Sequence, residues 1–280
     1  MLEIRHFSKS YKGGKKAVED LSLTIQAGDI CGFIGPNGAG KSTTIKAVVG
    51  VLDFEEGEIL IDGKSIRRQP LECKKVTAYI PDNPDLYDHL TGIQYLNFIA
   101  DIFQVGREEQ QERIRRYGDA FEITGALGDV ISAYSHGMKQ KLAILSALLH
   151  RPRLMVLDEP FVGLDPRASL LLKNIMREIC SQGSAIFFST HVLDVAEKLC
   201  NKIAIIQKGR LVVSGPMEEL IRERSLEELF MEVAETEGQG AGKDGADQGK
   251  AGDGSGAAWH SPAPEGLPER PLSGVKDNEK

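Results

Sequence analysis

The chain contains the segment Gly35-Pro36-Asn37-Gly38-Ala39-Gly40-Lys41-Ser42-Thr43, which follows a short apolar run at 30–34. This segment fits the pattern GxxxxGKS, whose glycines let the backbone N–H groups approach phosphate oxygens closely. A helix expected from Lys41 to about Val49 would direct its positive N-terminal end at the same phosphates. Lys41 can reach the β- and γ-phosphates of a nucleotide, and the Ser42 hydroxyl can ligate Mg²⁺. The segment therefore predicts a phosphate site between a strand and a helix.

A second motif, Leu154-Met155-Val156-Leu157-Asp158-Glu159, is an apolar run that ends in two acids. A buried strand that ends in an acid supplies what Mg²⁺ coordination needs beside a phosphate loop. We expect Asp158 to hold the ion through water and Glu159 to act as general base on the attacking water. Solvated acids at the end of an ordinary strand are the alternative, and the nearby phosphate loop argues against it.

Strand and helix patterns alternate along most of the chain. Apolar runs predict strands at 2–7, 21–25, 30–34, 58–61, 76–80, 154–157, 185–188, 203–206 and 211–213. Helical spacing predicts helices from Thr91, at 107–116, at 140–149, at 167–181 and at 192–199. The pair Asp62-Gly63 predicts a turn. The alternation implies a largely parallel sheet covered by helices, with a helical insertion at about 91–150.

The composition is that of a globular chain able to bury a sizeable core, with 280 residues, 41% hydrophobic and 27% charged. The formal net charge of −7 argues against a nucleic-acid binder, which needs basic residues to neutralise phosphates. The four cysteines form no CxxC pair, so we expect reduced thiols. The N-terminus lacks a signal-peptide pattern, and no run approaches the roughly 18 apolar residues of a membrane span. Work at a membrane would therefore need a membrane-spanning partner.

The segment Tyr134-Ser135-His136-Gly137-Met138 lies between the two motifs and resembles the signature of the ATP-binding-cassette family, usually written LSGGQ. Ser135 and Gly137 hold their family positions, whereas the other three residues depart from the pattern. The resemblance implies that this loop caps the γ-phosphate of ATP bound to a second cassette, with a serine hydroxyl and a helix N-terminus facing the anion. A simple helix N-cap is the alternative for Ser135.

Three smaller elements agree with this resemblance. The run Gly163-Leu164-Asp165-Pro166 resembles the family's dimer loop, and Ser189-Thr190-His191 resembles its switch histidine. The resemblance implies that His191 contacts the γ-phosphate and helps hold the catalytic water with Glu159. Tyr11 matches the aromatic residue that stacks on adenine, although an aromatic residue in a hairpin also commonly serves packing.

Asp82 stands where the family usually has glutamine, which touches Mg²⁺ or the attacking water. Aspartate can still reach the ion through a water molecule, but it cannot donate an N–H. The stretch that follows lies, in the family, at the groove that receives a helix of the membrane subunit. Leu86, Tyr87 and Leu90 are candidates for that contact, unless they pack into their own domain.

The resemblance spans about residues 1–225 and implies an α/β fold. Its P-loop NTPase core would have a mostly parallel sheet and an antiparallel β subdomain, with an inserted α-helical subdomain at about 91–150. Residues 226–280 form a C-terminal extension, which we expect to be disordered from about residue 235 because it is rich in Gly, Ala and charged residues.

These features together predict the ATP-binding and ATP-hydrolysing subunit of an ABC membrane transporter, with ATP and Mg²⁺ as cofactors. Its partners would be a membrane-spanning permease and a second cassette, identical or different. We expect a cytoplasmic protein, peripheral on the inner face of the cell membrane. Export is favoured over import because Asp82 and the stretch that follows it resemble the bacterial exporter branch of the family. A soluble ABC ATPase that acts on ribosomes or DNA, and a regulatory module without activity, are the alternatives. The single acidic cassette and the intact catalytic positions argue against them.

Overall fold

The structure is a computed structural model that describes residues 1–11, 13–14, 16–222 and 224–236. The expected disordered tail lies almost entirely outside these residues. The strands are β1 Leu2–Ser10, β2 Lys16–Ile25, β3 Ile30–Ile34, β4 Glu56–Ile61, β5 Lys64–Ser65, β6 Thr77–Ile80, β7 Leu154–Asp158, β8 Ala185–Thr190, β9 Lys202–Gln207 and β10 Arg210–Pro216. The helices are α1 Lys41–Val48, α2 Pro70–Lys75, α3 Gly92–Ile102, α4 Arg107–Ala120, α5 His136–Leu148, α6 Pro166–Ser181, α7 Leu193–Leu199, α8 Met217–Leu220 and α9 Leu226–Thr236.

A six-stranded sheet in the order β10-β9-β3-β8-β7-β6 forms the centre of the fold. All its neighbouring strands run parallel except the β9–β10 hairpin. Every residue of β3, β7 and β8 is buried, which explains why these strands are continuous apolar runs in the sequence. Because the strands are parallel, β3, β7 and β8 end at the same edge, and the loops that follow them meet there.

A second sheet is antiparallel, has four strands in the order β2-β1-β4-β5 and confirms the predicted β subdomain. Asp62 and Gly63 form the predicted turn between β4 and β5, with φ angles of 52° and 75°. Positive φ at both central residues is the geometry that a type I′ hairpin turn requires. Strand β5 and helix α2 have no counterpart in the sequence prediction.

The helical insertion contains α3, α4 and α5. Thr91 caps α3 as predicted, because its Oγ1 accepts the Gln94 N–H while the Gln94 Oε1 accepts the Thr91 N–H. Helix α5 begins at His136 rather than near Gln140, since Ser135 caps it by accepting the Met138 N–H at 3.3 Å. Apolar periodicity missed this first turn because its residues are mostly polar.

The last described element, α9, has no counterpart in the sequence prediction, which places residues 226–280 in an extension. Leu226 and Leu229 are buried and join the same apolar cluster as Ala196 and Leu199 of α7. The backbone N–H of Leu226 also donates to the Glu197 carboxylate at 3.1 Å. Helix α9 therefore packs against the core through Leu226, Leu229, Phe230 and Val233. A functional division of the chain at residue 225 stays a prediction.

All four cysteines are free and buried, in agreement with the expected reduced state. Burial raises the pKa of the Cys31 and Cys180 thiols to about 12 and that of Cys200 well above its ordinary value. Within the described part of the chain, no helix is long and apolar enough to cross a membrane.

Candidate functional site

A cleft of about 650 Å³ opens at the edge where β3 and β7 end. The residues predicted from the sequence that line it are Tyr11, Pro36, Asn37, Gly38, Gly40, Lys41, Ser42, Thr43, Asp82, Asp158 and Glu159. The structure thus brings together in one place the phosphate loop, both acids of the second motif, the aromatic candidate and the unusual aspartate.

The phosphate loop fills the gap between the end of β3 and the start of α1. Gly35 and Ala39 are buried behind its surface, where they pack on the β9–β10 hairpin instead of lining the cleft. A side chain at Gly35 would place its Cβ only 2.4 Å from the Ile206 carbonyl oxygen. Gly40 has a φ of 112°, which strains any other residue, and the Ala39 carbonyl accepts the Gly209 N–H at 2.9 Å. The loop is therefore held rigidly from behind while Pro36, Asn37 and Gly38 are exposed.

Lys41 lies across the mouth of this loop and is 7% exposed. Its Nζ donates to the Gly35 carbonyl at 2.7 Å and stands 3.9 Å from Glu159 Oε1. Burial lowers the pKa of Lys41, against the opposing effect of the charges on Glu159 and Asp158. The Lys41 ammonium thus lies beside the cleft, where an anion could take the place of the carbonyl groups that now accept its hydrogen bonds.

The two acids at the end of β7 make different contacts. Asp158 is buried and accepts a hydrogen bond from the Ser189 hydroxyl. Glu159 has a φ of 49°, in the left-handed region, and its N–H donates to the same Ser189 Oγ at 3.0 Å. His191 Nδ1 lies 3.0 Å from Glu159 Oε2, so the carboxylate sits between a lysine and a histidine. Lys41, Glu159 and His191 form the candidate catalytic cluster.

The donor set for a cation consists of oxygen atoms only. Ser42 and Asp82 are exposed in the cleft, and Asp158 keeps its second carboxylate oxygen outside the bond to Ser189. Among the described residues, no group of three or more His, Cys, Asp or Glu side chains could hold a metal ion. Few protein ligands, all oxygens, suit Mg²⁺, which in such sites takes its other ligands from phosphates and water.

Tyr11 is half-exposed at the rim, with its hydroxyl 3.4 Å from Thr43 Oγ1. Lys16, Ala17 and Lys208 also line the cleft and are not among the predicted residues. They come from β2 and from the turn between β9 and β10. The predicted strands at 203–206 and 211–213 imply that turn, but no local pattern shows that the turn reaches the phosphate loop.

Ser135 and Gly137 lie outside this cleft, at the N-terminus of α5. The loop before α6 packs beside them, since a Cβ on Gly137 would come within 2.9 Å of the Gly163 carbonyl oxygen. Lys141 of α5 also bonds to Asp165 at 2.8 Å. The signature and dimer-loop segments thus form one surface, and its predicted contact with a nucleotide on another cassette stays a prediction.

The comparisons with known proteins agree with this geometry. Residues 18–162 match the family model described as ABC transporter. The uncharacterized ABC transporter ATP-binding protein YhcH of Bacillus subtilis is 36% identical over 214 residues, which cover 76% of this chain and 68% of that protein. A solved ATP-binding subunit of an ABC transporter has a TM-score of 0.80 and 34% identity, covering 84% of this chain and 99% of the other. The dimeric cassette MJ0796, solved in a post-hydrolysis state with ADP and Pi, shares the fold at 21% identity and a TM-score of 0.71, covering 78% and 99%.

Proposed function

Because the chain belongs to the ABC transporter family, we propose that it hydrolyses ATP to drive a separate membrane-spanning permease. The observation that carries this proposal is the position of the Glu159 carboxylate. It lies between Lys41 and His191, beside Asp158 and the phosphate loop. A carboxylate in this setting can accept the proton of a water molecule that attacks a γ-phosphate.

The proposed roles follow from what each group can donate or accept. The loop N–H groups and the N-terminus of α1 would bind the phosphates, and Lys41 would exchange its carbonyl partners for phosphate oxygens. Tyr11 would stack on adenine. Ser42, Asp158 and Asp82 would hold Mg²⁺, which neutralises phosphate charge when it is bound. His191 would keep the Glu159 carboxylate and the attacking water in line.

Two copies of the chain, or this chain and a related one, would sandwich two ATP molecules. Ser135 and Gly137 lie on the surface outside their own cleft, which suits a contact with the nucleotide of a partner. The dimeric form of the cassette MJ0796 supports such an arrangement. ATP would then favour the closed pair because it binds both halves only when they meet, and hydrolysis would release them.

The test is Mg²⁺-dependent ATP hydrolysis by the purified chain over a range of protein concentrations. We expect activity to rise faster than linearly with concentration, and Lys41→Ala and Glu159→Gln to abolish it. Lys46→Ala is the matched control, since Lys46 lies on the same helix and is exposed but does not line the cleft. Undiminished turnover in Glu159→Gln would remove Glu159 from the role of general base.

An exposed aromatic pair marks the proposed permease surface. Tyr87 is 50% exposed, and its ring centroid lies 5.6 Å from that of Phe98, which is exposed as well. Of the three residues expected at this contact, Leu86 is buried and Leu90 packs against the core, so only Tyr87 remains available. Exposed aromatic rings suit a hydrophobic groove for a helix of the membrane subunit.

This surface is tested by the share of the chain that sediments with membranes of its native host. We expect Tyr87→Ser to lower that share several-fold while ATP binding persists. Leu71→Ser changes an even more exposed apolar residue on α2 and serves as the control. An equal loss in both variants would show that replacing any exposed apolar side chain by serine weakens membrane association, and it would refute a specific contact at Tyr87.

We further propose a location on the inner face of the cell membrane and a role in export. Export rests on the resemblance around Asp82 and Tyr87 to the bacterial exporter branch of the family. In vesicles whose cassettes face outward, an exporter fills the lumen with its substrate when ATP is added outside. Emptying of loaded vesicles under the same conditions would show import.

A further inference from the structure

The hydroxyl of Ser189 lies between the two acids of the cleft. Ser189 is the next-to-last residue of β8 and is 0% exposed. The parallel register of β7 and β8 places it directly beside Asp158. Ser189 therefore reaches the catalytic cluster from behind, without lining the cleft.

The Ser189 hydroxyl donates one hydrogen bond and accepts another, and both partners belong to the two acids. Its O–H donates to Asp158 Oδ1, and its Oγ accepts the Glu159 N–H at 3.0 Å. Ser184, just before the other end of β8, makes an ordinary contact instead, since its hydroxyl donates to the Pro152 carbonyl at 2.8 Å. The two serines thus differ in what they hold, although both flank the same strand.

Each bond has a consequence for the geometry of the site. The bond to Asp158 fixes one carboxylate oxygen and leaves the other for a further ligand. The bond to the Glu159 N–H satisfies a backbone donor at a residue whose φ of 49° is unfavourable for a side chain other than glycine. Released from this bond, Glu159 could relax and draw its carboxylate away from His191.

We propose that Ser189 is a positioning residue for ATP hydrolysis, whose hydroxyl sets the Asp158 carboxylate and the Glu159 backbone together. This inference rests on the proposed function, because it assigns Ser189 to the same reaction. Ser189 acts through the two acids and makes no contact with the nucleotide.

Ser189→Ala is expected to lower kcat about tenfold, since the hydrogen bonds it removes each affect a group that reacts or binds the ion. The apparent KM for ATP should stay within about twofold, because uniform nucleotide binding does not involve the hydroxyl. The Mg²⁺ concentration that gives half of the ATP-induced rise in melting temperature should increase several-fold. This last readout does not depend on turnover.

Three variants make the outcome decisive. Ser184→Ala controls for loss of a serine hydroxyl beside the same strand and should change neither kcat nor the Mg²⁺ requirement. Ser189→Cys keeps a small side chain with a weak donor and should fall between wild type and Ser189→Ala, which covers the case that alanine does not fold. In a His191→Ala background, in which reduced turnover remains measurable, Ser189→Ala should lower kcat by less than its own effect of about tenfold, because it acts partly through the contact between Glu159 and His191.

The inference fails if Ser189→Ala has wild-type kcat and Mg²⁺ requirement, or if its effects match those of Ser184→Ala. The role assigned to the Glu159 backbone also fails if the losses of Ser189→Ala and His191→Ala multiply in full. An inactive wild-type chain would instead count against the proposed function, and the Mg²⁺ titration of the ATP-induced melting shift would still test Ser189.

Discussion

At the residue scale, the Glu159 carboxylate gathers groups from three different elements. Lys41 comes from the start of α1, Glu159 follows β7, and His191 follows β8. The Glu159 carboxylate lies 3.9 Å from Lys41 Nζ and 3.0 Å from His191 Nδ1, so both basic side chains contact the same carboxylate. Because each contact comes from a separate element, each can be removed without unfolding the others.

Replacing His191 with alanine should lower ATP turnover by about 100-fold, the low end of what a positioned acid–base partner contributes. ATP affinity should change only a few-fold, since Lys41 and the phosphate loop remain. Turnover and equilibrium nucleotide binding are the measurements. His6→Ala is the matched control, because His6 also bonds a carboxylate, that of Asp20 at 2.7 Å, but does not line the cleft. Turnover within twofold of wild type would exclude His191 from the reaction.

Tyr11 allows a test that separates its ring from its hydroxyl. Tyr11→Ala should weaken ATP binding about tenfold, since stacking of a base on an aromatic ring contributes about 1–3 kcal/mol. Tyr11→Phe keeps the ring and loses only the long contact to Thr43, so its affinity should stay within about twofold. Calorimetric titration with ATP measures both. Equal losses in the two variants would contradict stacking.

At the element scale, an ion pair joins α5 to the start of α6. The Lys141 ammonium, which donates to the Asp165 carboxylate, lowers the pKa of Asp165 to about 2, and the Ala168 N–H assists. A carboxyl group whose pKa is lowered by folding stabilises the fold above its ordinary value near 3.8, and this contribution disappears as the pH falls toward 2. The same aspartate also caps α6, so the pair links the signature helix to the dimer-loop segment.

Lys141→Ala should therefore raise the pKa of Asp165 toward its ordinary value, though not fully, because the Ala168 N–H still donates. Carboxyl NMR titration measures this shift. The loss of stability should be largest above about pH 4 and shrink at lower pH or at high salt. Lys198→Ala removes an ion pair that lies within α7 alone and should leave the pKa of Asp165 unchanged. An unchanged pKa of Asp165 in Lys141→Ala would show that Lys141 does not stabilise the Asp165 carboxylate.

Helix α9 is expected to be a stabilising part of the fold. Leu229→Ala should lower the free energy of unfolding by at least about 2 kcal/mol, since it leaves a cavity where a buried leucine meets the core. Met231→Ala, on the exposed side of the same helix, should change it by less than about 0.5 kcal/mol. Urea unfolding compares the two. Similar values would mean that α9 packs only loosely.

The parts that the sequence predicts well are those with a strong local signal. Strands β3 and β7 are buried on both faces, so their apolar runs are easy to recognise in the sequence. The glycine pattern before Lys41 is specific for phosphate binding when it stands between a strand and a helix. Helix α9 also has a legible pattern, since 226, 229, 230 and 233 are apolar at helical spacing. What no local pattern provides is a contact between distant segments. Lys208 in the cleft and Ser189 behind the acids follow from strand order, which only the folded chain reveals.

At the scale of the whole molecule, the proposed sandwich predicts a change in mass. Glu159→Gln with ATP should elute at twice the monomer mass, because the nucleotide remains intact and continues to bridge the copies. Lys41→Ala with ATP should stay monomeric. Light scattering after size-exclusion chromatography measures both. A monomeric Glu159→Gln that binds ATP would indicate a requirement for a different cassette as the partner.

The four buried cysteines give this chain a practical property. The thiolate is the nucleophile that attacks a thiol-reactive dye. Burial shields Cys31, Cys180 and Cys200 from the dye and also raises their pKa values, which keeps them protonated. Cys73 is buried as well, with its pKa raised by the same cause. A cysteine introduced at the exposed Tyr87 would therefore take up a dye in preference to the native thiols. Energy transfer between dyes on two copies could then follow the closing and opening of the pair in real time.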